Sequence, residues 1–143
     1  MWFIYKFRKV IKKSEESEIK NQQMESWQSA ILNGTDYAII STLPSGMITT
    51  FNKAAERMTG YTAEEVIGKH TPAVFHDLEE VEEKRKQLSI KNSVQVSDNF
   101  EAFIFNPRRD GAETQEWTYL KKDGQRIPVK LCVTPLKDAS DEI

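Results

Sequence analysis

The sequence predicts an α+β domain preceded by an N-terminal helix. Period-two runs of apolar and β-branched residues occur twice, at Tyr37–Phe51 and at Glu116–Leu136, and between them the spacing changes to three and four with a helix-capping residue at each change. The chain has 143 residues, 38% hydrophobic and 29% charged, the balance of one globular domain with an appendage rather than of a disordered or fibrous chain. Its single cysteine, Cys132, excludes an internal disulfide and gives no sign of an oxidising compartment, so the cytoplasm is the expected location.

The N-terminus, MWFIYKFRKVIKK, is apolar for five residues and then basic at Lys6, Arg8, Lys9, Lys12 and Lys13. It is far shorter than the roughly 20 apolar residues that span a bilayer, and it lacks the cleavage site of a secretory signal. On a helix Phe3, Phe7, Val10 and Ile11 share a face. That suits contact of residues 1–13 with a membrane surface, attaching the protein to the inner face, or equally an amphipathic helix packed on a domain. Residues 14–26, SEESEIKNQQMES, are almost wholly polar and read as a solvated helix or a tether, so a boundary is drawn between 1–26 and a domain over 27–143. Trp27, Ala30 and Ile31 form one helical face that closes at Asn33-Gly34, and Trp27 and Ile31 are the expected dimerisation residues.

The first hairpin pairs Tyr37–Thr42 with Met47–Phe51 around Pro44-Ser45-Gly46. In NKAAERMTGYTAEEVIG, Asn52 is placed to cap a helix that carries Ala54, Ala55 and Met58 on one face and ends at Gly60. Thr62 and Glu65 form a capping box for a second helix ending at Gly68. Asp77 caps a longer helix whose acidic start and basic continuation suit the helix dipole, with Leu78, Val81, Arg85 and Leu88 as its narrow apolar face. SDNFEAFIFNPRRDG fits either period; a short helix capped by Ser97 or Asp98 and ended before Pro107 is preferred. The late strands turn at Asp123-Gly124. By alternation Trp117 and Tyr119 share one face, and Ile127, Val129, Leu131 and Val133 another.

The stretches SGMITTFNKAAERMTGYTAEEVIGK and EWTYLKKDGQRIPVKLCVTPLKD, with TPAVFHDLEEVEEKRKQLS between them, resemble a PAS domain of the kind found in bacterial histidine kinases and diguanylate cyclases. The resemblance covers Trp27–Ile143. It implies an antiparallel five-stranded sheet with helices on one face, of which this chain supplies four strands. In the family the last strand lies between the first strand and the one matching Arg126–Leu136. Two facing edges would be left unpaired without it, as in a fragment or a sheet completed by another chain.

The resemblance also implies a sensory module for signal transduction, without catalysis of its own, coupled to an effector such as a histidine kinase or diguanylate cyclase. Ile39, Phe75, Phe103, Trp117, Tyr119, Val129 and Leu131 are the expected ligand-binding residues under the helices; the plainer reading is that they fill the core of a ligand-free dimerisation domain. A light-driven cysteinyl-flavin adduct is not expected, because Thr71 stands where the flavin subgroup has cysteine. His76 is the better of two histidines for an axial haem ligand, although a lone histidine beside a helix start more often faces solvent or caps. Neither haem nor flavin has positive support.

No metal-site spacing occurs, and no nucleophile elbow, phosphate loop or H-E-x-x-H motif is present. Asp77 and Glu80 make a poor acid/base pair beside the reading of a solvated helix face. The net charge of −2, with basic pairs Arg108-Arg109 and Lys121-Lys122 placed at loops or turns, argues against nucleic acid.

Overall fold

The computed structural model describes residues 2–136, with side chains from residue 15 onward. The proposed membrane contact of residues 1–13 therefore lies outside the described side chains, and residues 137–143 lie outside the described chain. The described residues form two compact units, one up to Asp36 and one from Tyr37 onward.

The first unit is α1, one continuous helix over Trp2–Asn33. It runs through both the basic segment and the polar stretch, and Trp27, where the sequence reading starts the domain, lies inside it. At its end Gly34 N–H donates to the Ala30 carbonyl, 2.9 Å.

In the second unit β1 (Ile40–Thr42) pairs antiparallel with β2 (Ile48–Phe51). Both are shorter than the alternation suggests. Tyr37–Ile39 are held instead by Asn52, whose side chain takes up the backbone of Tyr37 and Ile39. Helix α2 (Lys53–Thr59) follows, capped by Asn52 and closed by Gly60 in the left-handed region. Helix α3 (Ala63–Val66) opens on the expected Thr62–Glu65 capping box, and a one-turn 3-10 helix covers Pro72–Phe75.

Helix α4 (Leu78–Asn92) is capped by Asp77, whose carboxylate accepts from Glu79 and Glu80 N–H. Val81 and Leu88 are buried, but Leu78 is exposed, so the apolar face is narrower than its spacing suggests. Helix α5 (Glu101–Asp110) starts after Asp98, which accepts from Glu101 N–H, and runs through Pro107 rather than ending before it. Proline there removes one helical hydrogen bond, but its ring is fully buried, and the Pro107 carbonyl still accepts from Gly111 N–H. Arg108 and Arg109 thus belong to the last turn of α5, not to a loop, and pair with Glu101 and Asp110.

Strands β3 (Glu113–Leu120) and β4 (Arg126–Val133) form the second antiparallel hairpin, in register from Glu113↔Val133 to Leu120↔Arg126. Its turn carries Gly124 at φ 90°, with Gly124 N–H donating to Lys121. Along β4, Ile127, Val129, Leu131 and Val133 are half-buried, while Arg126, Pro128, Lys130 and Cys132 are exposed, the alternation the sequence predicts. Among the described residues the two hairpins remain separate sheets, with no strand between β1 and β4.

The core is in two parts. One packs Ile48, Phe51, Ala55, Val66, Phe75 and Tyr119; the other packs Val81, Leu88, Val96, Ala102, Phe103 and Trp117.

Candidate functional site

The edge of β4 can be read residue by residue. Thr118 N–H donates to Glu80 Oε1 at 3.1 Å, and the Thr118 carbonyl accepts from Asp77 N–H at 3.1 Å. Both backbone groups of Thr118 therefore point away from its partner Pro128, making this a non-hydrogen-bonded pair. Alternation then turns the amides of Lys130 and Cys132 away from β3, toward the open edge. It also explains how Pro128 sits in a strand, since a position that owes the ladder no N–H tolerates proline.

That open edge looks across a cleft to β1. A cavity of about 460 Å³ lies between them, walled by Ile39, Ile40, Met58, Tyr119, Val129 and Leu131 among others. A neighbouring one of about 210 Å³ shares Ile40 and continues past Leu43, Phe100, Ile104 and Val133. Of the seven residues expected at a ligand site, four (Ile39, Tyr119, Val129 and Leu131) line the larger cavity. Phe75, Phe103 and Trp117 line neither and are buried in the core. Met58 and Ile40 complete the wall. Met58 was legible as part of the Ala54–Ala55–Met58 face; Ile40 required knowing which hairpin edge lies opposite β4.

Under the helices, where a ligand was expected, the space is filled around His76. This residue is 2% exposed, contrary to the solvent-facing or capping role expected of it. Its ring centroid lies 4.3 Å from Phe103, 4.6 Å from Tyr119, 5.5 Å from Phe75 and 5.7 Å from Trp117, so it joins the two halves of the core. His76 Nδ1–H donates to the Pro72 carbonyl at 2.7 Å, which leaves Nε2 as a lone-pair acceptor, buried and without a protein partner. Burial lowers the imidazole pKa from 6.5 to about 4 against the opposing pull of the Pro72 carbonyl and Glu80, so the ring is neutral at pH 7. Burial likewise raises the Tyr119 phenol above its ordinary range, keeping it protonated.

This packing does not fit a haem. An iron on Nε2 would need its porphyrin where the rings of Phe103, Trp117 and Tyr119 already lie. The carboxylates do not form an acid/base pair either. Asp77 caps α4 and pairs with Arg126, while Glu80 holds the backbone of Thr118.

Asn52 anchors β1 beside the cleft. Its Oδ1 accepts from Ile39 N–H at 2.9 Å and from Ala55 N–H at 3.0 Å, and its Nδ2 donates to the Tyr37 carbonyl at 2.9 Å. One buried amide thus fixes the segment leading into β1 to the start of α2.

The family profile of the PAS domain matches residues 36–143, the whole of the second unit and one residue before it. The chain is a member of the PAS domain family. A solved PAS domain of a protein from Colwellia psychrerythraea superposes with a TM-score of 0.64 at 21% identity, covering 84% of this chain and 88% of that one. The PAS domain of an HTR-like protein from Haloarcula marismortui gives 0.60 at 16% identity, covering 89% and 91%. These likenesses concern the PAS fold alone. In sequence, two-component system protein A of Emericella nidulans is 28% identical over 112 residues, which are 78% of this chain and 14% of that protein. This PAS domain thus spans about one seventh of its relative's length. Among the described residues no helix is long and apolar enough to cross a membrane.

Proposed function

We propose that this PAS domain is a non-catalytic, cytoplasmic input module of a signalling protein of the two-component kind, acting as a homodimer on an effector such as a histidine kinase or diguanylate cyclase. The similarity to a two-component system protein supports the signalling class. The observation that carries the reading is the cleft between β1 and β4, where edge amides and apolar side chains face one another while the space under the helices is filled by His76 and its aromatic neighbours. An extended segment, from polypeptide joined to this domain or bound by it, closes the sheet by pairing with both edges. Entry and release of that segment change how tightly β1 and β4 are held, and this is the change passed to the effector.

A second reading, in which a small apolar ligand occupies the cleft, is favoured by the size of the larger cavity and by the protonated Tyr119 phenol in its wall. Native mass spectrometry with an absorbance spectrum, combined with amide exchange at Lys130 and Cys132, separates the readings. Slow exchange with no extra mass, or with the mass of a bound peptide, supports strand closure. A bound small molecule whose occupancy falls in Tyr119→Leu supports the ligand. Fast exchange with no bound mass, in the presence of the adjoining polypeptide or candidate ligands, removes both.

A further inference from the structure

Strand β3 has a second edge, on the side away from β4. Thr118 and Pro128 are a non-hydrogen-bonded pair, so alternation makes Glu116↔Lys130 and Thr114↔Cys132 non-hydrogen-bonded pairs too. The backbone N–H and C=O groups of Thr114, Glu116 and Thr118 therefore all point outward. At Thr118 the start of α4 takes up both, through Asp77 N–H and the Glu80 carboxylate. Among the described residues the outward groups of Thr114 and Glu116 have no hydrogen-bond partner. The edge is thus closed at Thr118 and open over the residues before it, and unpaired edge groups are a template for another strand.

The side chains beside the open stretch set the partner. Glu80, Glu83, Lys84 and Gln87 recur at three- and four-residue spacing on one face of α4, while Val81 and Leu88 turn to the core. With Gln115, Glu116 and Trp117 that face walls a groove of about 180 Å³. Glu83 and Glu116 are exposed and Glu80 half-buried, and Lys84 is the single cation in the wall. Lys130 stands on the far side of Glu116, one strand further from the edge. The β3 edge of a second copy would set these carboxylates against their own kind, so charge disfavours self-pairing and favours a basic strand.

The ladder also says where the basic residues belong. An antiparallel strand on this edge exchanges two hydrogen bonds with Glu116 and two with Thr114, using alternate residues of its own. Directly opposed side chains share a face, so the residue opposite Glu116 lies beside that carboxylate on the outer face. The residue between the two bonded positions points to the inner face, toward Glu80 and Glu83. Two adjacent basic residues in an extended segment match both.

We infer that the outer edge of β3, with the polar face of α4 beside it, binds an extended segment of a partner protein carrying two adjacent basic residues, which adds a strand at Thr114 and Glu116. This goes beyond the function proposed above: it concerns the opposite edge of the hairpin and does not depend on what fills the cleft.

Titration of the full chain with the peptide acetyl-VTKRTV-amide, followed by backbone amide shifts in NMR, tests it. The Thr114 and Glu116 amides should shift and exchange more slowly, while those of Lys130 and Cys132 stay as they were. The peptide Kd should rise about tenfold or more in E83K/E116K, which should in turn take up acetyl-VTEETV-amide. E116P removes one outward N–H at a position that owes the β3–β4 ladder none, as Pro128 does on β4. It should weaken binding about tenfold or more, with the fold checked by circular dichroism. No binding of the basic peptide at millimolar concentration overturns the inference, as does binding that either variant leaves unchanged. Shifts confined to Lys130 and Cys132 also overturn it, placing the peptide at the β4 edge of the cleft instead.

Discussion

The ring centroid of His76 lies 4.6 Å from that of Tyr119, and the same two residues are bridged through their backbones. The bridge ties the turn before α4 to the C-terminal end of β3, and the ring contact joins the two halves of the core. Because the junction is an imidazole, it couples folding to pH. The folded pKa of about 4 lies below the ordinary 6.5, so as pH falls the unfolded chain takes up its proton first. The contribution is complete above about pH 6.5 and is lost progressively down to pH 4.

Urea unfolding at pH 7.5 and pH 5 should therefore differ by about 2 kcal/mol from this residue alone. His76→Phe keeps an aromatic ring in the cluster and removes the proton, so its stability should be nearly level over that interval. Glu56, Glu65, Asp77, Glu82 and Asp110, whose pKa values are lowered, add acid sensitivity at still lower pH. An unchanged slope in His76→Phe would mean that other groups carry the interval from 6.5 to 4.

Asn52 gives a second test, because its helix cap can be separated from its tertiary bonds. Asn52→Ala loses the cap to Ala55 and the bonds to Ile39 and Tyr37, and should cost about 2–3 kcal/mol. Asn52→Ser keeps a capping oxygen of similar strength but lacks the amide that reaches Tyr37. It should still cost about 1–2 kcal/mol in chemical denaturation. A neutral serine variant would show that the bonds to Tyr37 and Ile39 add nothing.

Local chemistry explains which parts of this fold were legible in the sequence. Asn52, the Thr62–Glu65 box and Asp77 cap their helices as expected, because a cap is satisfied within three residues of itself. Alternation also placed Trp117 and Tyr119 on one buried face. The misses depend on distant partners. Pro107 stays helical because burial of its ring outweighs a lost hydrogen bond, and Leu78 is exposed although its spacing matches Val81. His76 is buried by Phe103, Trp117 and Tyr119, which lie 27 to 43 residues along the chain and so leave no mark near it. At the cleft, sequence reasoning named four wall residues but could not separate them from Phe75, Phe103 and Trp117, since all seven alternate or recur on inward faces.

Two glycines with nearly equal backbone angles should respond differently to alanine. Gly46 has φ 91° and Gly124 φ 90°, both in the left-handed half of the map, so each substitution carries a backbone cost of about 1 kcal/mol. A methyl at Gly124 meets nothing within 4 Å, whereas one at Gly46 lies 2.9 Å from the Phe100 ring. Gly46→Ala should therefore destabilise by a further 1 kcal/mol or so in thermal or urea unfolding, unless Phe100 withdraws. Equal losses at the two positions would show that the ring gives way freely.

Phe103 offers the sharpest test of whether the space under the helices is filled for stability. Its ring contacts His76 at 4.3 Å and Trp117 at 4.9 Å, and it is 6% exposed. Phe103→Ala should cost about 3–5 kcal/mol, because the rings around it belong to separate elements and cannot all collapse into the space. Water admitted beside His76 would relieve part of its desolvation, raising the imidazole pKa toward 6.5 and shrinking the pH-dependent stability predicted above. The two effects can be read in one set of urea titrations at several pH values, with the imidazole followed by NMR. A large loss of stability with the His76 pKa unmoved would point to a dry, collapsed cavity. A small loss would mean that Phe103 is dispensable to packing, and that the space it occupies could be yielded to a ligand.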